Sequence, residues 1–462
     1  MGGIVSDALG VTTSPCSVAT TAIVTLVGLA ALGCNAGESA TDESRAGASG
    51  ATAASGGSAA GGASAAGAGG AGGSSAGGNA GVGSGGVAGS GSGGSAGGLS
   101  AGGAGGSGGS GTPSGRPFAY VGSYENAIYV YSLDVATGAL TAQGGRVDAP
   151  PSPSFLAFAP DARHLYAVNE ADDVGGTGAG AVSAFDIDAA SGGLSFINRV
   201  SSGGEGPAHV LVDASGRFVL VANYNGGNFS VLSVNPEGGL GARVAGAEHG
   251  DGAQAHEVVL DPSNRYLFVP NKGRSDVSQY RFDASTGSVT PSTPAELDLA
   301  QGAGSRHLAF HPTLPVAYVI NELDDTVVVA SFDAGSGALS AVQTLSTLPA
   351  GVNGGQNSCA EIQVAPSGRF VYGSNRGDDS IVIYSVDAAT GRLALVGHQA
   401  TGGDTPRSFH LEPSGRMMLV ANQDSDEVVS FRVDADSGLL TELGSVSVPS
   451  PAFVGVLYLP AM

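Results

Sequence analysis

The 462-residue chain is poor in several residue types that would define other classes of protein. It has no Trp and only three cysteines, Cys16, Cys34 and Cys359. Two of these lie in the first 34 residues, so the body of the chain keeps one thiol, which excludes a disulfide framework and a cysteine-based metal site. No Cys-x-x-Cys-His motif occurs, and the sequence therefore gives no support for a haem or quinone protein.

Basic residues are also scarce. The chain has 18 Lys and Arg against 40 Asp and Glu, a formal net charge of −22, and from Arg116 onward 36 acidic residues face 17 basic ones. Such a surface repels phosphate backbones and anionic lipid headgroups, so no nucleic-acid partner is expected. Against this background a cluster of arginines is conspicuous.

Charge and aromatic residues are absent altogether from residues 46–111, which consist almost wholly of Gly, Ala and Ser. A segment of this composition cannot bury enough apolar surface to offset its chain entropy, and it should behave as a flexible coil about 45 Å across. We interpret residues 35–115 as a disordered linker.

Residues 18–33 form an uncharged, largely apolar run that is directly followed by Cys34. The run is typical of the apolar region of a signal peptide, and "ALGC" at residues 31–34 resembles the cleavage box of bacterial lipoproteins. The basic segment expected at the start of a signal peptide is missing. We predict that residues 1–34 are a leader and that the protein is exported to the cell envelope, with Cys34 as its lipid anchor. If the leader is not a true signal, the protein is cytoplasmic.

From Arg116 onward one pattern recurs: a turn, an apolar strand and an abrupt polar end, as in "SGRFVLVANY" and "SGRFVYGSNR". The polar ends, which we call anchors, are Ser123, Asn169, Asn223, Asn271, Asn321, Asn375 and Asn422. Their spacings are 46, 54, 48, 50, 54 and 47 residues. Seven copies with a period close to fifty residues therefore fill residues 116–462.

Each copy contains four strand-like runs separated by turn signals. β-Branched and alternating runs with turns about every ten residues argue against helices, and four strands per fifty-residue unit predict a propeller blade. The sequence thus predicts an all-β, seven-bladed propeller. The first copy lacks an inner strand of its own and the C-terminal "SPAFVGVLYL" is an unassigned strand, so residues 451–460 should complete the first blade and close the ring.

In each blade the inner strand and the anchor strand are antiparallel neighbours, so the start of one and the end of the other lie at the same end of the sheet. Inner strands begin with His209, His256, Arg306, His307, Glu361 and Arg407. Anchor strands are followed by Glu170, Tyr224, Lys272, Glu322, Arg376 and Gln423. We expect these acid–base and anion-binding side chains to ring one mouth of the central channel, whereas the anchor asparagines are interpreted as structural.

Neither a metal nor another cofactor is expected. No Asp-x-Asp-x-Asp-Gly loop occurs, and the acidic pairs after the anchors are interpreted as solvated hairpin tips. Cys359 stands beside Glu361, but its inner-strand neighbours are apolar, which favours a buried structural thiol over a nucleophile.

The segments "GAGSRHLAFHP", "CAEIQVAPSGRFVYGSNRG" and "TPRSFHLEPSGR" together resemble the lactonase family of seven-bladed propellers over residues 117–460. This family contains 6-phosphogluconolactonase and the fungal 3-carboxy-cis,cis-muconate lactonizing enzyme. The resemblance implies a site built from His256, Arg306, Glu322 and Arg376. One departure is local: Gln254 and Ala255 stand where the family often has His or Cys.

The resemblance implies hydrolysis of a sugar lactone, with a small-molecule lactone as partner. We expect the protein to be a monomer. Glu322 or His256 would act as base, Arg306 would hold the oxyanion, and Arg376 and Arg407 would bind a carboxylate or phosphate. Further substrate contacts are expected from His209, His307 and Glu361. A muconate-type isomerase and a surface-tethered binding module without catalysis stay open at this point.

Overall fold

The computed structural model describes residues 113–352 and 354–460, and these residues form seven antiparallel sheets. Blade 1 contains β1 (Arg116–Ser123), β2 (Ala127–Leu133), β3 (Leu140–Ala142), β4 (Val147–Asp148) and β29 (Pro451–Leu459). Blade 2 contains β5 (Leu156–Phe158), β6 (His164–Asn169), β7 (Ala181–Ile187) and β8 (Leu194–Ser201). Blade 3 contains β9 (Pro207–Val212), β10 (Phe218–Asn223), β11 (Asn228–Val234) and β12 (Leu240–Glu248).

The other four blades follow in the same order. Blade 4 contains β13 (Val259–Leu260), β14 (Tyr266–Asn271), β15 (Asp276–Asp283) and β16 (Ser288–Asp298). Blade 5 contains β17 (Ser305–Phe310), β18 (Val316–Asn321), β19 (Thr326–Asp333) and β20 (Ala338–Ser346). Blade 6 contains β21 (Ser358–Val364), β22 (Phe370–Arg376), β23 (Ser380–Val386) and β24 (Leu393–Ala400). Blade 7 contains β25 (Pro406–Leu411), β26 (Met417–Asn422), β27 (Glu427–Val433) and β28 (Leu440–Ser447).

These sheets confirm the prediction of an all-β, seven-bladed propeller. The only helical turn in the described residues is a short 3-10 helix at Gly354–Gln356, and none of their helices is long and apolar enough to cross a membrane. The predicted leader (1–34) and nearly all of the predicted linker (35–115) lie outside the described residues, so both stay predictions.

Within each blade, the side chains of the anchor strand are more buried than those of the outermost strand. The anchor strands β6, β10, β14, β18 and β26 are buried at every position, whereas β16 and β20 are mostly exposed. A strand that packs against neighbouring blades on both faces needs a continuous apolar run, and an outer strand does not. The repeated apolar segment in the sequence is therefore the second strand of each blade.

The ring closes as expected. Strand β29 pairs antiparallel with β1 in a register that places Phe118 opposite Leu457 and Val121 opposite Val454. β29 also packs against β5 of blade 2 and β25 of blade 7. The last strand of the chain is thus the innermost strand of the first blade, and no inner strand edge is left unpaired at the seam.

The anchor asparagines are structural, as the sequence analysis predicted. Nδ2 of Asn223, Asn375 and Asn422 donates to the carbonyl oxygens of Ser202, Thr347 and Thr401, respectively, at 3.0–3.2 Å. These carbonyls lie on the segment that enters the same blade from the preceding one. Each of these three asparagines therefore fixes the path by which the chain reaches the inner strand of its own blade, which accounts for asparagine at these positions.

Tyrosines of the anchor strands connect neighbouring blades. The hydroxyl of Tyr120, Tyr166, Tyr266, Tyr318 and Tyr372 donates to a glycine carbonyl in a turn of the next blade at 2.7–3.0 Å. In the case of Tyr318 the acceptor is Gly391, whose φ of +71° and closeness to Val316 leave no room for a side chain. Burial raises the pKa of Tyr318, so its hydroxyl stays protonated and remains a donor.

Replacing Tyr318 with Phe should lower the free energy of unfolding by about 1–3 kcal/mol, because the buried carbonyl of Gly391 loses its donor. Urea denaturation followed by circular dichroism measures this loss. Tyr129→Phe is the matched control, since its hydroxyl makes no hydrogen bond with any described residue, and it should change stability by less than about 0.5 kcal/mol. Equal midpoints for the two variants would show that the inter-blade bonds add nothing.

Candidate active site

Side chains from three neighbouring blades meet at one end of the channel. The pairing of β17 with β18 brings Arg306 beside Glu322, which follows the anchor strand of the same blade. The Glu322 carboxylate lies 3.1 Å from Nε of Arg306 and 3.2 Å from Nη2 of Arg376. Its third contact is Nζ of Lys272, at 2.8 Å. Blades 4, 5 and 6 therefore each direct one cation to a single carboxylate.

This environment decides the charge of Glu322. Burial alone would raise its pKa, but the charges of Arg306 and Arg376 and the hydrogen bond and charge of Lys272 outweigh burial and lower the pKa to about 2. Glu322 is thus a carboxylate at neutral pH and a very weak base. Its position suits it to hold cations in place.

Arg306 is 3% exposed, and its guanidinium is only partly engaged. Nη1 donates to the carbonyl of Ala360 at 2.6 Å, and Nε faces Glu322 without the alignment of a hydrogen bond. Nη2 makes no hydrogen bond with any residue that the structure describes. Burial and the charge of Arg376 lower the pKa of Arg306 to about 10, so the side chain is still a cation at neutral pH.

A break in the inner strand of blade 4 places His256 beside these charged side chains. The residue precedes the two-residue strand β13, after Gln254 with a φ of +55° and an isolated bridge between Ala255 and Asn271. The imidazole packs against the ring of Tyr224 at a centroid distance of 5.5 Å. Nδ1 is buried without a described partner, which leaves Nε2 as the nitrogen that can meet a ligand.

The charge of His256 follows from its surroundings. Burial lowers its pKa well below the usual value, and the charges of Arg306, His307, Arg407 and Lys272 lower it further. The imidazole is therefore neutral at pH 7 and can accept a proton. The Arg306 cation and the neutral His256 imidazole thus face the same space.

That space is a narrow pocket with about 270 Å³ of empty volume, counted into open solvent. Its polar lining residues are Tyr124, Ser154, Glu170, His256, Arg306, His307, Arg407 and Ser408. Apolar residues, among them Phe155 and Ala452, complete the wall.

Arg407 is the least engaged cation of the pocket. Its guanidinium lies over the ring of Tyr124, 5.2 Å from the centroid, and it makes no hydrogen bond or ion pair with any other described residue. The Tyr124 hydroxyl in turn donates to Oε2 of Glu170 at 3.1 Å. Burial raises the pKa of Tyr124 to about 12, so the ring under Arg407 is neutral. Arg407 is therefore available to an anionic group of a ligand.

Three residues that were predicted to contact the substrate, His209, Glu361 and Arg376, do not line the pocket. His307 reaches the pocket wall, but His209 and Glu361 are not part of the lining and lie in a buried layer behind it. Nε2 of His209 is 3.6 Å from Oε1 of Glu257, a buried carboxyl that the sequence analysis did not select. The position of Glu257 directly after His256 in the sequence was the signal that could have identified it. Arg376 contacts Glu322 and donates to the carbonyl of Cys359 at 2.9 Å, so it is already engaged by the protein.

The prediction for Cys359 has a clear outcome. The Cys359 thiol is fully buried, 3.1 Å from Oγ1 of Thr347, and burial raises its pKa, which confirms the buried structural thiol. Among the described residues no group of three His, Cys, Asp or Glu side chains could hold a metal. His307 and His311 stand four residues apart, but His311 bonds the carbonyl of Gly368 at 2.9 Å at the far end of its strand.

A wider groove of about 990 Å³ lies between blades 2 and 3. There His164 lies 2.9 Å from Asp161 and 3.3 Å from Asp186, and Arg217 donates to the carbonyl of Ala284. These polar groups already have partners, whereas the smaller pocket contains an unengaged cation and an unpartnered imidazole. We therefore assign the candidate active site to the smaller pocket.

Fold and site together define a seven-bladed propeller with a small-molecule pocket in which cations face a neutral imidazole. A family model described as "Lactonase, 7-bladed beta-propeller" matches residues 118–456. The chain belongs to this family, which confirms the resemblance noted in the sequence.

Individual relatives agree with this assignment. The 6-phosphogluconolactonase of Bacillus subtilis is 34% identical over 302 residues, which are 63% of this chain and 83% of the relative. The 6-phosphogluconolactonase of Pectobacterium carotovorum is 35% identical over 294 residues, 63% of this chain and 84% of the relative. Among solved structures, the periplasmic gluconolactonase PpgL of Pseudomonas aeruginosa is 33% identical with a TM-score of 0.68, covering 75% of this chain and all of that one.

Proposed function

We propose that this protein hydrolyses a sugar lactone to the open hydroxy acid, the activity for which its relatives are named. One observation carries the proposal: the Arg306 guanidinium, with Nη2 unengaged, and the neutral His256 imidazole line the same small pocket. Ester hydrolysis requires a base for the attacking water and a cation for the oxyanion, and these two groups supply both.

In this mechanism water attacks the carbonyl carbon of the lactone while His256 takes one of its protons. The carbonyl oxygen becomes an oxyanion that Arg306 stabilises at close range in a poorly solvated site. When the bond between the carbonyl carbon and the ring oxygen breaks, the imidazolium returns the proton to that oxygen. The product is a hydroxy acid, which releases a proton at neutral pH.

Glu322 has a supporting role in this proposal. Because three cations hold its pKa near 2, it is a poor general base, and we assign proton transfer to His256 instead. Glu322 keeps Arg306, Arg376 and Lys272 at fixed positions, so the oxyanion meets a preorganised charge. Its contribution to catalysis is positioning.

Arg407 is proposed to bind the end of the substrate remote from the ester. Its guanidinium can pair with a carboxylate or phosphate in forked geometry, and the surrounding acidic surface makes this cation the natural anion contact. The nearby Glu170 carboxylate limits how much negative charge the pocket accepts. Comparing kcat/KM for a lactone and for its phosphorylated form therefore shows whether the substrate carries a phosphate.

The test is proton release at about pH 7 from glucono-δ-lactone and from its 6-phosphate, with the full chain and with Arg306→Ala. We expect the wild-type protein to exceed the spontaneous rate with at least one lactone. Arg306→Ala should lower kcat by about 100- to 1,000-fold, the cost of removing one oxyanion donor. The ratio of kcat/KM for the two lactones then decides whether Arg407 serves a phosphate.

A binding module predicts a different result. In that case calorimetry would detect lactone binding while proton release stays at the spontaneous rate for both proteins. Turnover of a carboxymuconate without lactone hydrolysis would instead identify an isomerase. Either result would contradict the proposed hydrolysis.

We also propose that the protein acts in the cell envelope, anchored through Cys34. The support is the apolar run before Cys34, the charge-free tract after it and the periplasmic location named for the similar gluconolactonase. A lactone without phosphate is the more natural substrate in that compartment, and the comparison of the two lactones bears on this proposal as well.

A further inference from the structure

Behind Arg306 a chain of buried side chains leads away from the pocket. Nη1 of Arg306 lies 3.3 Å from Nε2 of His307, and Nδ1 of His307 lies 3.3 Å from Oε1 of Glu361. The Glu361 oxygen also accepts the backbone N–H of Ile362 at 3.0 Å. Arg306, His307 and Glu361 are each at most 3% exposed. Glu361 thus connects to the oxyanion cation without lining the pocket.

The hydrogen-bond roles in this chain are determined by chemistry. A guanidinium can only donate, so Nε2 of His307 must accept from Arg306. A neutral imidazole then carries its proton on Nδ1, which faces Glu361, and Glu361 must accept. His307 is neutral because burial and the charge of Arg306 lower its pKa well below the usual value.

We propose that Glu361 is a positioning residue that acts through His307 to hold the Arg306 guanidinium in the orientation required for lactone hydrolysis. The inference rests on the proposed function and assigns Glu361 a role other than contact with substrate. Its physical basis is that an acceptor at Oε1 keeps His307 in the tautomer that can receive the Arg306 bond.

The ionisation of Glu361 controls this arrangement. The groups that face it are Arg306 and His307 from β17, the buried carboxyl of Glu257 from blade 4, and His410 from β25. Burial raises the pKa of Glu361 to about 7, against the lowering effects of Arg306, the Ile362 N–H and His410. Burial and the charge of Glu361 raise the pKa of Glu257 well above its usual value, so Glu257 is the carboxyl that stays protonated.

Protonation of Glu361 would reverse the direction of its hydrogen bond to His307. A carboxylic acid can donate to Nδ1, which moves the imidazole proton to Nε2 and places it against the Nη1–H of Arg306. Two donors cannot share this contact, so the guanidinium shifts. The acidic limb of the activity profile should therefore follow the pKa of Glu361, with activity falling as pH decreases through about 7.

The decisive variant is Glu361→Gln in the full chain, assayed for kcat and KM between about pH 5 and about pH 9. The amide preserves shape and can accept from His307, but it cannot ionise. Because the amide oxygen accepts from Nδ1 of His307 at every pH, we expect kcat to stay within about threefold of the wild-type plateau above about pH 7, with KM changed by less than about threefold. The acidic limb with an apparent pKa near 7 should be lost.

The matched control is Glu257→Gln, which replaces a buried carboxyl of the same layer that does not contact His307. Since Glu257 is already protonated, its amide variant should keep the wild-type profile. Nitrogen-15 spectra of the histidines give a readout that needs no substrate. In the wild-type protein the His307 resonances should shift with a midpoint near pH 7, and in Glu361→Gln they should not.

These readouts separate the two proposals. A wild-type protein that turns over no lactone contradicts the proposed function, while the His307 titration still decides the link to Glu361. A wild-type protein with a flat profile from about pH 6 to about pH 8, or His307 resonances that do not titrate there, overturns the inference. The same holds if Glu361→Gln keeps the acidic limb of the wild-type pH profile. If that variant does not fold, the two wild-type measurements decide alone.

Discussion

Deleting residues 451–462 should unfold the propeller. The deletion removes β29, in which Phe453, Val454, Val456, Leu457 and Leu459 are each at most 2% exposed. At about 1.5–3 kcal/mol per buried side chain, the loss is on the order of 10 kcal/mol, similar to the whole stability of a typical domain. It also exposes the edge of β1 and opens the seam to blades 2 and 7. Circular dichroism during urea titration should show no cooperative transition.

A shorter truncation serves as the control for this experiment. Removing only residues 460–462 leaves every residue of β29 in place, and this protein should unfold with the wild-type midpoint. A synthetic peptide of residues 450–460 added to the long truncate should restore a cooperative transition, because it can pair with β1 in the native register. Cooperative melting of the long truncate at the wild-type midpoint would contradict a ring held closed by its last strand.

The fold could be predicted because its information is local and repeated. Each copy has the same turn, apolar strand and anchor, and the anchor ends its strand at Asn169, Asn223, Asn271, Asn321 and Asn422. One detail differs from four regular strands per blade: the outer edge of blade 1 is split into β3 and β4 around Gly144 and Gly145. Gly144 has a φ of +74°, and a side chain placed there would meet open space, so no packing opposes the break.

The members of the site could be predicted, but their roles could not. Strand pairing places Arg306 and Glu322 at the same blade end, and this follows from the period alone. That Lys272 and Arg376 both turn toward Glu322 depends on side-chain directions across three blades, which no single repeat contains. For the same reason the sequence left open whether Glu322 or His256 is the base.

The side chains buried behind the pocket were the least predictable part of the candidate site. Glu257 and Glu361 differ little in sequence context, since each directly precedes apolar residues of an inner strand. Their difference arises from the neighbours that the ring supplies: His307 contacts Glu361, whereas His209 and the Leu308 N–H face Glu257. Contacts between blades thus decide which carboxyl ionises.

His256→Asn should lower kcat for lactone hydrolysis by about 100- to 10,000-fold, the range attributed to a general base, with KM changed much less. The reason is that His256 is the neutral imidazole on the pocket wall, and Asn cannot take the proton of the attacking water. Stopped-flow or pH-stat measurement of proton release gives both constants. His398→Asn is the matched control, because His398 bonds the carbonyl of Thr347 away from the pocket and should leave kcat unchanged.

Glu322→Gln distinguishes the two candidate bases. If His256 is the base, removing the Glu322 charge leaves three cations unneutralised, so the main loss should be stability, about 3–5 kcal/mol, with a smaller loss of kcat than in His256→Asn. If Glu322 is the base, the order of the two kcat losses reverses. A carboxylate with a pKa near 2 would then have to remove a proton from water, a transfer that is strongly uphill, whereas the imidazole gains basicity as the oxyanion forms beside it.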